Sequence, residues 1–302
     1  MLHMGRRQML KIENVYKNFG TTEVLKGLNL AVQEGSVFGL VGVNGAGKST
    51  LLRLISGVYE ADQGTVSFND HDTFRDPNIR QSISFVSDEP YYPIGATIAS
   101  MKNFYASLYE FDEAAFGKYC EIFGLNPSMR ILNLSKGMKR RAALLFALCT
   151  HPKLLLLDEA YDGLEPIARL HFKQILADLV EDEKLTVIIS SHNLRELEDI
   201  CDSYGILEDG VMLTYGDLIA SRENINKYQA AFAGNVPADV FKDLDVLHLE
   251  IEGRVVKAVI RGSQSEVQKK IEALKPVLID VLPVSFEELF IYEVEKKGEH
   301  HE

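Results

Sequence analysis

Residues 42–50 read Gly42-Val43-Asn44-Gly45-Ala46-Gly47-Lys48-Ser49-Thr50. Gly42, Gly47, Lys48 and Ser49 fill the fixed positions of the P-loop pattern G-x-x-x-x-G-K-[ST]. Both flanks are of the kind this pattern requires. Val37-Phe38-Gly39-Leu40-Val41 leads in as a short apolar run, a buried strand, and Leu51-Leu52-Arg53-Leu54-Ile55 leads out with helical character. Glycines let the backbone curl round a phosphate without Cβ clashes, so that successive N–H groups and a helix N-terminus face the anion. Residues Asn44, Gly45, Ala46, Gly47, Lys48, Ser49 and Thr50 are therefore expected to cradle the phosphates of a nucleoside triphosphate, ATP or a relative. Lys48 would reach the β- and γ-phosphates, and the Ser49 hydroxyl would hold Mg2+.

Outward from this loop the pattern alternates. Strands are expected at Leu10 to Val15, Leu28 to Val32, Val37 to Val41, Thr65 to Phe68 and Ile83 to Val86. Helical spacing dominates Ala99 to Tyr109 and Glu113 to Phe123, with breaks at Pro127 and Gly137. Leu154 to Leu157 and Thr186 to Ile189 are apolar runs of the length and composition of strands buried on both faces. Between them, Ile167, Leu170, Ile175, Leu176 and Leu179 recur at helical intervals. The sum is an α/β fold with a mostly parallel sheet and an inserted helical subdomain. After Gly216 the texture changes: Val246 to Ile251 and Val255 to Ile260 form a hairpin at Gly253, followed by a helix from Ser265 to Leu274. A strand from Val277 to Leu282 and a terminal helix from Ser285 to Val294 complete a small α+β domain. Expected boundaries are 9–222 for the main domain, with its helical part at about 76–150, and 223–302 for the accessory one.

Composition narrows the partners. The 302 residues carry a net charge of −12, from 44 acidic and 32 basic side chains. A binder of nucleic acid backbones needs the opposite balance, so nucleic acid is not expected as a partner. The basic triplet Lys139-Arg140-Arg141 could touch an anion, although a solvated helix face is the first reading of such a run. No apolar stretch approaches the roughly 20 residues of a membrane-spanning helix, and the first residues lack the apolar core of a secretory signal. Three scattered cysteines, Cys120, Cys149 and Cys201, suit a reducing compartment, with Cys149 in the core.

A second motif joins the first. The strand Leu154 to Leu157 ends in Asp158-Glu159, the arrangement of a Walker B segment. Asp158 is placed to hold Mg2+, through water, and Glu159 to polarise an attacking water. Between the two motifs stands Leu134-Ser135-Lys136-Gly137-Met138. With it the chain resembles the ATP-binding subunits of ABC transporters, whose signature is L-S-G-G-Q; Lys136 and Met138 depart from it. The resemblance spans about Met9 to Arg222. The wording of Leu-Ser-Lys-Gly-Met and of Ser-Ser-His-Asn-Leu-Arg-Glu-Leu-Glu-Asp is most similar to bacterial ABC-2 type exporters of the acetoin-utilisation and phenol-soluble-modulin group.

That resemblance implies a RecA-like core with an antiparallel β subdomain and an inserted helical subdomain. It implies ATP sandwiched across a head-to-tail dimer, with Ser135 and Gly137 of one subunit facing the γ-phosphate held by the other. Phe19 takes the place of the aromatic that stacks on adenine, with Tyr16 the weaker candidate. Asp88 stands where a glutamine usually does and is a possible Mg2+ ligand. Asp162 to Glu165 takes the D-loop place, and His192 that of the switch histidine at the γ-phosphate. Asn193 and Glu196 form a capping-box pattern behind it. The expected partners are a membrane permease and a second ATPase subunit, identical or paralogous, with the chain peripheral to the cytoplasmic face of the membrane. Amphipathic peptides or toxins are the cargo such a group suggests. Two other readings stand beside this one. One is a soluble ATPase of the same superfamily acting in translation or DNA repair; the other is a slow regulatory nucleotide-binding module.

Overall fold

The computed structural model describes residues 7–161, 163–192, 194–218, 224–234, 236, 240–285, 287–288 and 291–292. The chain packs as two units, Met1–Met212 and Leu213–Glu302. The sequence placed the boundary at 222/223; residues 219–223 lie outside those described.

In the first unit, β1 (Gln8–Phe19) and β2 (Thr22–Gln33) form a long antiparallel pair that buries Leu10, Ile12, Val15, Leu25, Leu28 and Leu30. β3 (Val37–Val41) is buried at every position, as a strand covered on both faces must be. The P-loop follows, then α1 (Lys48–Ile55), β4 (Gln63–Phe68), β5 (His71–Asp72), α2 (Pro77–Arg80) and β6 (Ile83–Val86). The helical insertion consists of α3 (Ile98–Leu108), α4 (Glu113–Phe123) and α5 (Lys136–Leu148). Its helix starts are capped by side chains whose oxygens take the orphan N–H groups. Thr97 and Ser100 form a reciprocal capping box, Asp112 accepts from Ala114 and Ala115, and Ser135 accepts from Met138. The chain then runs through β7 (Leu154–Asp158), α6 (Pro166–Asp182), β8 (Thr186–Ser191), α7 (Leu194–Glu198), β9 (Ser203–Glu208) and β10 (Val211–Asp217).

Two sheets result, ordered β2-β1-β4-β5 and β10-β9-β3-β8-β7-β6. In the second, β9, β3, β8, β7 and β6 are parallel neighbours. One apolar cluster joins the two sheets through α1: Leu10, Ile12 and Phe68 from the first, Phe38, Leu40, Leu154 and Leu156 from the second, and Leu51 and Leu54 between them. Burying such a leucine contributes about 1.5–3 kcal/mol. The leucines of β7 are all at 0% exposure, which fixes that strand's height in the sheet and hence the position of the carboxylates at its end.

Helix α6 forms where the helical spacing placed it, and the structure decides which side is buried. Ala168, Phe172, Ile175 and Leu176 face inward, whereas Ile167 and Leu170 are exposed. The inward stripe follows the i, i+4, i+7, i+8 spacing of a helix against a sheet, and Ile167 and Leu170 fall outside it.

The second unit contains β11 (Ile225–Ala231), β12 (Asp245–Glu252), β13 (Val255–Arg261), α8 (Gln264–Ala273) and β14 (Leu278–Leu282). Its sheet runs β12-β13-β11-β14, with every neighbouring pair antiparallel. Val267 and Ile271 of α8, with Phe241 from the β11–β12 connection, pack on Tyr228, Val256, Ala258 and Ile260. The strand order is that of a ferredoxin-like sheet, and β13-α8-β14 is a split βαβ unit with β11 between its two strands. Of the terminal helix expected from Ser285 to Val294, residues 286, 289, 290, 293 and 294 lie outside those described.

Glu288 ties this last segment to β11. Its carboxylate accepts from Lys227 at 2.6 Å and from the Ser285 N–H at 3.0 Å. Burial pushes the Glu288 carboxyl up, but the Lys227 and Ser285 hydrogen bonds together outweigh it and hold the group below its ordinary 4.5. A carboxyl depressed in the fold adds stability that is complete above 4.5 and is lost as pH falls through the lowered value. The stability difference between the protein and its Glu288→Gln variant, followed by urea denaturation, should therefore hold steady near neutrality and close on acidification. A difference unchanged into strong acid would contradict the pairing.

Candidate active site

Four adjacent parallel strands deliver their chemistry to one edge. The P-loop follows β3, Asp158 and Glu159 end β7, His192 follows β8, and Asp88 lies just beyond β6. Such an edge is where open α/β sheets bind ligands. Strand register brings the groups level: Leu40 pairs with Ser190, and Asp158 pairs with Ser190 from the other side.

The loop itself is held by close contact. Gly47 caps α1 with φ 107°, a left-handed conformation that favours glycine. At Gly42 an added Cβ would lie 2.3 Å from the Leu207 carbonyl oxygen, so no larger residue fits. Asn44 and Gly45 are exposed, Ala46 and Gly47 buried, and Ser49 and Thr50 half-buried. Lys48 is 5% exposed; its Nζ donates to the Gly42 carbonyl at 2.7 Å and lies 3.7 Å from Glu159 Oε1. The Ser49 hydroxyl donates to Asp158 Oδ1 at 3.0 Å. Glu159 Oε2 is 3.7 Å from Nδ1 of the exposed His192. Lys48, Ser49, Asp158, Glu159 and His192, which lie far apart in the chain, are thus neighbours.

Two residues with a structural part in this edge were not legible beforehand. Ser190 is fully buried; its hydroxyl donates to Asp158 Oδ1 at 2.8 Å and accepts from the Glu159 N–H at 3.1 Å. Its only signal in the sequence is a hydroxyl at the end of an apolar strand. Arg140 corrects the reading of Lys139-Arg140-Arg141 as a solvated face. It is 5% exposed, and its guanidinium donates to the Glu159 carbonyl and to Asp88 Oδ1. The α5 helix turns position 140 inward, toward two oxygen acceptors that the sequence gives no way of foreseeing.

Asp88, expected among the Mg2+ ligands, has one carboxylate oxygen taken up by Arg140. Phe19 ends β1, 44% exposed, with its ring edge-on to Tyr59 at 5.3 Å and Lys17 Nζ 5.5 Å from its centre. Ser135 and Gly137 open α5; the Ser135 hydroxyl accepts from the Met138 N–H at 3.2 Å. Glu165, in the segment expected to be the D-loop, lies 3.7 Å from Arg141. Asp162 and Asn193, and with Asn193 the expected capping box, lie outside the described residues. Among those residues no cluster of three or more His, Cys, Asp or Glu side chains is built to hold a metal.

A phosphate loop, an adjacent acidic strand end and a polar strand-end residue between them define a P-loop nucleotide-hydrolysing enzyme. The family model for ABC transporters matches residues 25–162. The ABC transporter ATP-binding protein YtrB of Bacillus subtilis is 30% identical over 285 residues, covering 94% of this chain and 97% of that protein. The linearmycin resistance ATP-binding protein LnrL of the same organism is 34% identical over 218 residues, 69% of each chain. A solved ATP-binding subunit of an ABC transporter superposes with a TM-score of 0.66 at 26% identity, over 71% of this chain and 92% of that one. The chain belongs to the ATP-binding subunits of ABC transporters, the ATPases that power transport. The match to YtrB extends through the second unit, so that unit too is shared with a relative. Among the described residues no helix is long and apolar enough to cross a membrane.

Proposed function

We propose that this chain hydrolyses MgATP at the edge formed by β3, β7 and β8, and does so within a head-to-tail pair of subunits bound to an export permease. The observation that carries the reading is the meeting of Lys48, Ser49, Asp158, Glu159 and His192 within one strand edge. Lys48 binds the β- and γ-phosphates, exchanging its P-loop carbonyls for phosphate oxygens. Glu159 orients and polarises the attacking water, and His192 contacts the γ-phosphate from the far side of Glu159. Hydrolysis is in-line attack by water, with positioning and charge stabilisation in place of covalent chemistry. The hydroxyl of Ser49 and the carboxylate of Asp158 are hard oxygen donors of the type magnesium prefers, 3.0 Å apart. They would hold the ion, whose part is to neutralise phosphate charge. Asp88, with one oxygen taken up by Arg140, would join them through the other.

In the pair, Ser135 and Gly137 of one subunit complete the γ-phosphate site of the other, and Phe19 stacks on adenine. Tyr91 and Ile94, 87% and 93% exposed just beyond Asp88, offer the permease an apolar foothold, with Phe104 of α3 nearby in sequence. The chain works at the cytoplasmic face of the membrane, through the permease. The family fixes transport and leaves its direction open. Export of amphipathic peptides or toxins is favoured by the Leu134 to Met138 and Ser190 to Asp199 wording, and by the resistance role in the name of LnrL.

The test is association. Sedimentation of Glu159→Gln should show a monomer without nucleotide and a dimer with saturating MgATP, in the presence of the permease if required. A protein that stays monomeric under all these conditions would overturn the paired site.

A further inference from the structure

Arg140 and Lys48 are the two buried cations among the described residues, each 5% exposed. Lys48 belongs to the P-loop. Arg140 does not, and a guanidinium is not buried without a reason in its partners.

One terminal nitrogen, Nη1, donates to the backbone carbonyl of Glu159 and the other, Nη2, to Asp88 Oδ1. Its stem lies over Gly163, where an added Cβ would come within 2.7 Å of Arg140 Cδ and Nε. One side chain of α5 therefore touches the segment after β6 and the segment after β7 together. Glu159 itself has φ 49°, left-handed and uncommon for a residue with a side chain. Its N–H is held by the carbonyl and hydroxyl oxygens of Ser190, at 3.2 and 3.1 Å. Arg140 holds the opposite pole of the same residue. With both its N–H and its C=O fixed, the Glu159 side chain leaves the backbone in one direction, toward Lys48 and His192.

We infer that Arg140 is a positioning residue for ATP hydrolysis: it fixes the Glu159 backbone so that the carboxylate faces the γ-phosphate, and Asp88 serves as the counter-charge that holds the guanidinium in place. This rests on the role proposed above for Glu159. The planar fork of arginine supplies two donors in fixed relation, one for each oxygen. Glutamine has one amide for two acceptors, and a lysine ammonium at the same place reaches one of the two oxygens.

Displacement of a reacting group by about 1 Å can cost on the order of a hundredfold in rate. Arg140→Gln should accordingly lower kcat by about tenfold to a hundredfold. The affinity for ATP, measured with a fluorescent analogue, and the MgATP-driven association should not change. The decisive readout is single-turnover hydrolysis by the Glu159→Gln variant with and without Arg140→Gln. An arginine acting through Glu159 has nothing left to position once the carboxylate is gone, so the second substitution should add no further loss. Losses that multiply, a kcat that stays at the wild-type value, or a parallel fall in nucleotide affinity would each overturn the inference. Should Arg140→Gln not fold, Arg140→Lys keeps the buried charge beside Asp88 and is expected to lower kcat at constant KM; an unaltered kcat there overturns it equally. If Glu159→Gln itself hydrolyses normally, it is the reading of the active site that falls. If Glu159→Gln is slow and the Arg140 variants are not, only the role of Arg140 falls.

Discussion

Glu159→Gln is expected to slow steady-state ATP hydrolysis by about 10²–10⁴-fold, the range contributed by a positioned acid–base group. At 1.36 kcal/mol per tenfold this is about 3–5 kcal/mol of transition-state stabilisation. Nucleotide affinity should hold, because glutamine matches the shape of glutamate and loses only the negative charge near Lys48, 3.7 Å away. Removing that charge frees Lys48 for phosphate, so affinity is expected to rise slightly if it moves at all. The fold is also expected to survive, since the backbone of Glu159 is held by Ser190 and Arg140 independently of its carboxylate. A normal rate of phosphate release from the purified variant would exclude Glu159 as the group that positions water.

Lys48→Ala acts on an earlier step. Its ammonium is the one cation in the P-loop, and hydrogen bonds to charged partners contribute about 1.5–3 kcal/mol each. The dissociation constant for ATP should therefore rise by about tenfold to a hundredfold, with hydrolysis falling through both binding and catalysis. The free protein is expected to change little in shape, although Lys48→Ala leaves the Gly42 carbonyl without the donor it has at 2.7 Å. Isothermal titration with ATP in magnesium buffer checks this directly. An unaltered affinity would contradict the assignment of the cradle.

Much of this could be read in advance because it is local. The P-loop and the Asp158-Glu159 pair are short contiguous patterns, each written with its own flanking strand. Helix Glu113–Phe123 has the bounds expected of it, since Asp112 caps its start and Gly124, left-handed, ends it. Strands β3 and β7 stand out as apolar runs because they are covered on both faces. Strands β9 and β11 carry no such mark; Tyr204 and Gly205, or Lys227 and Gln229, interrupt the apolar pattern, and partners distant in the chain make them strands. Helix α6 shows the same limit, for the apolar residues Ile167 and Leu170 fit a helix but not its buried side.

A loop for a nucleoside triphosphate and a carboxylate pair on a buried strand are legible from residue types alone, because each is a contiguous run that carries its own chemistry. Packing was needed to turn Arg140 inward, to pair Asp88 with it, to join Asp158 to Glu159 through Ser190, and to set the split βαβ order of the second unit's sheet. A side chain's partners depend on which strands lie side by side and in what register. That is fixed by the packing of residues far apart in the chain and is written in no single stretch of it.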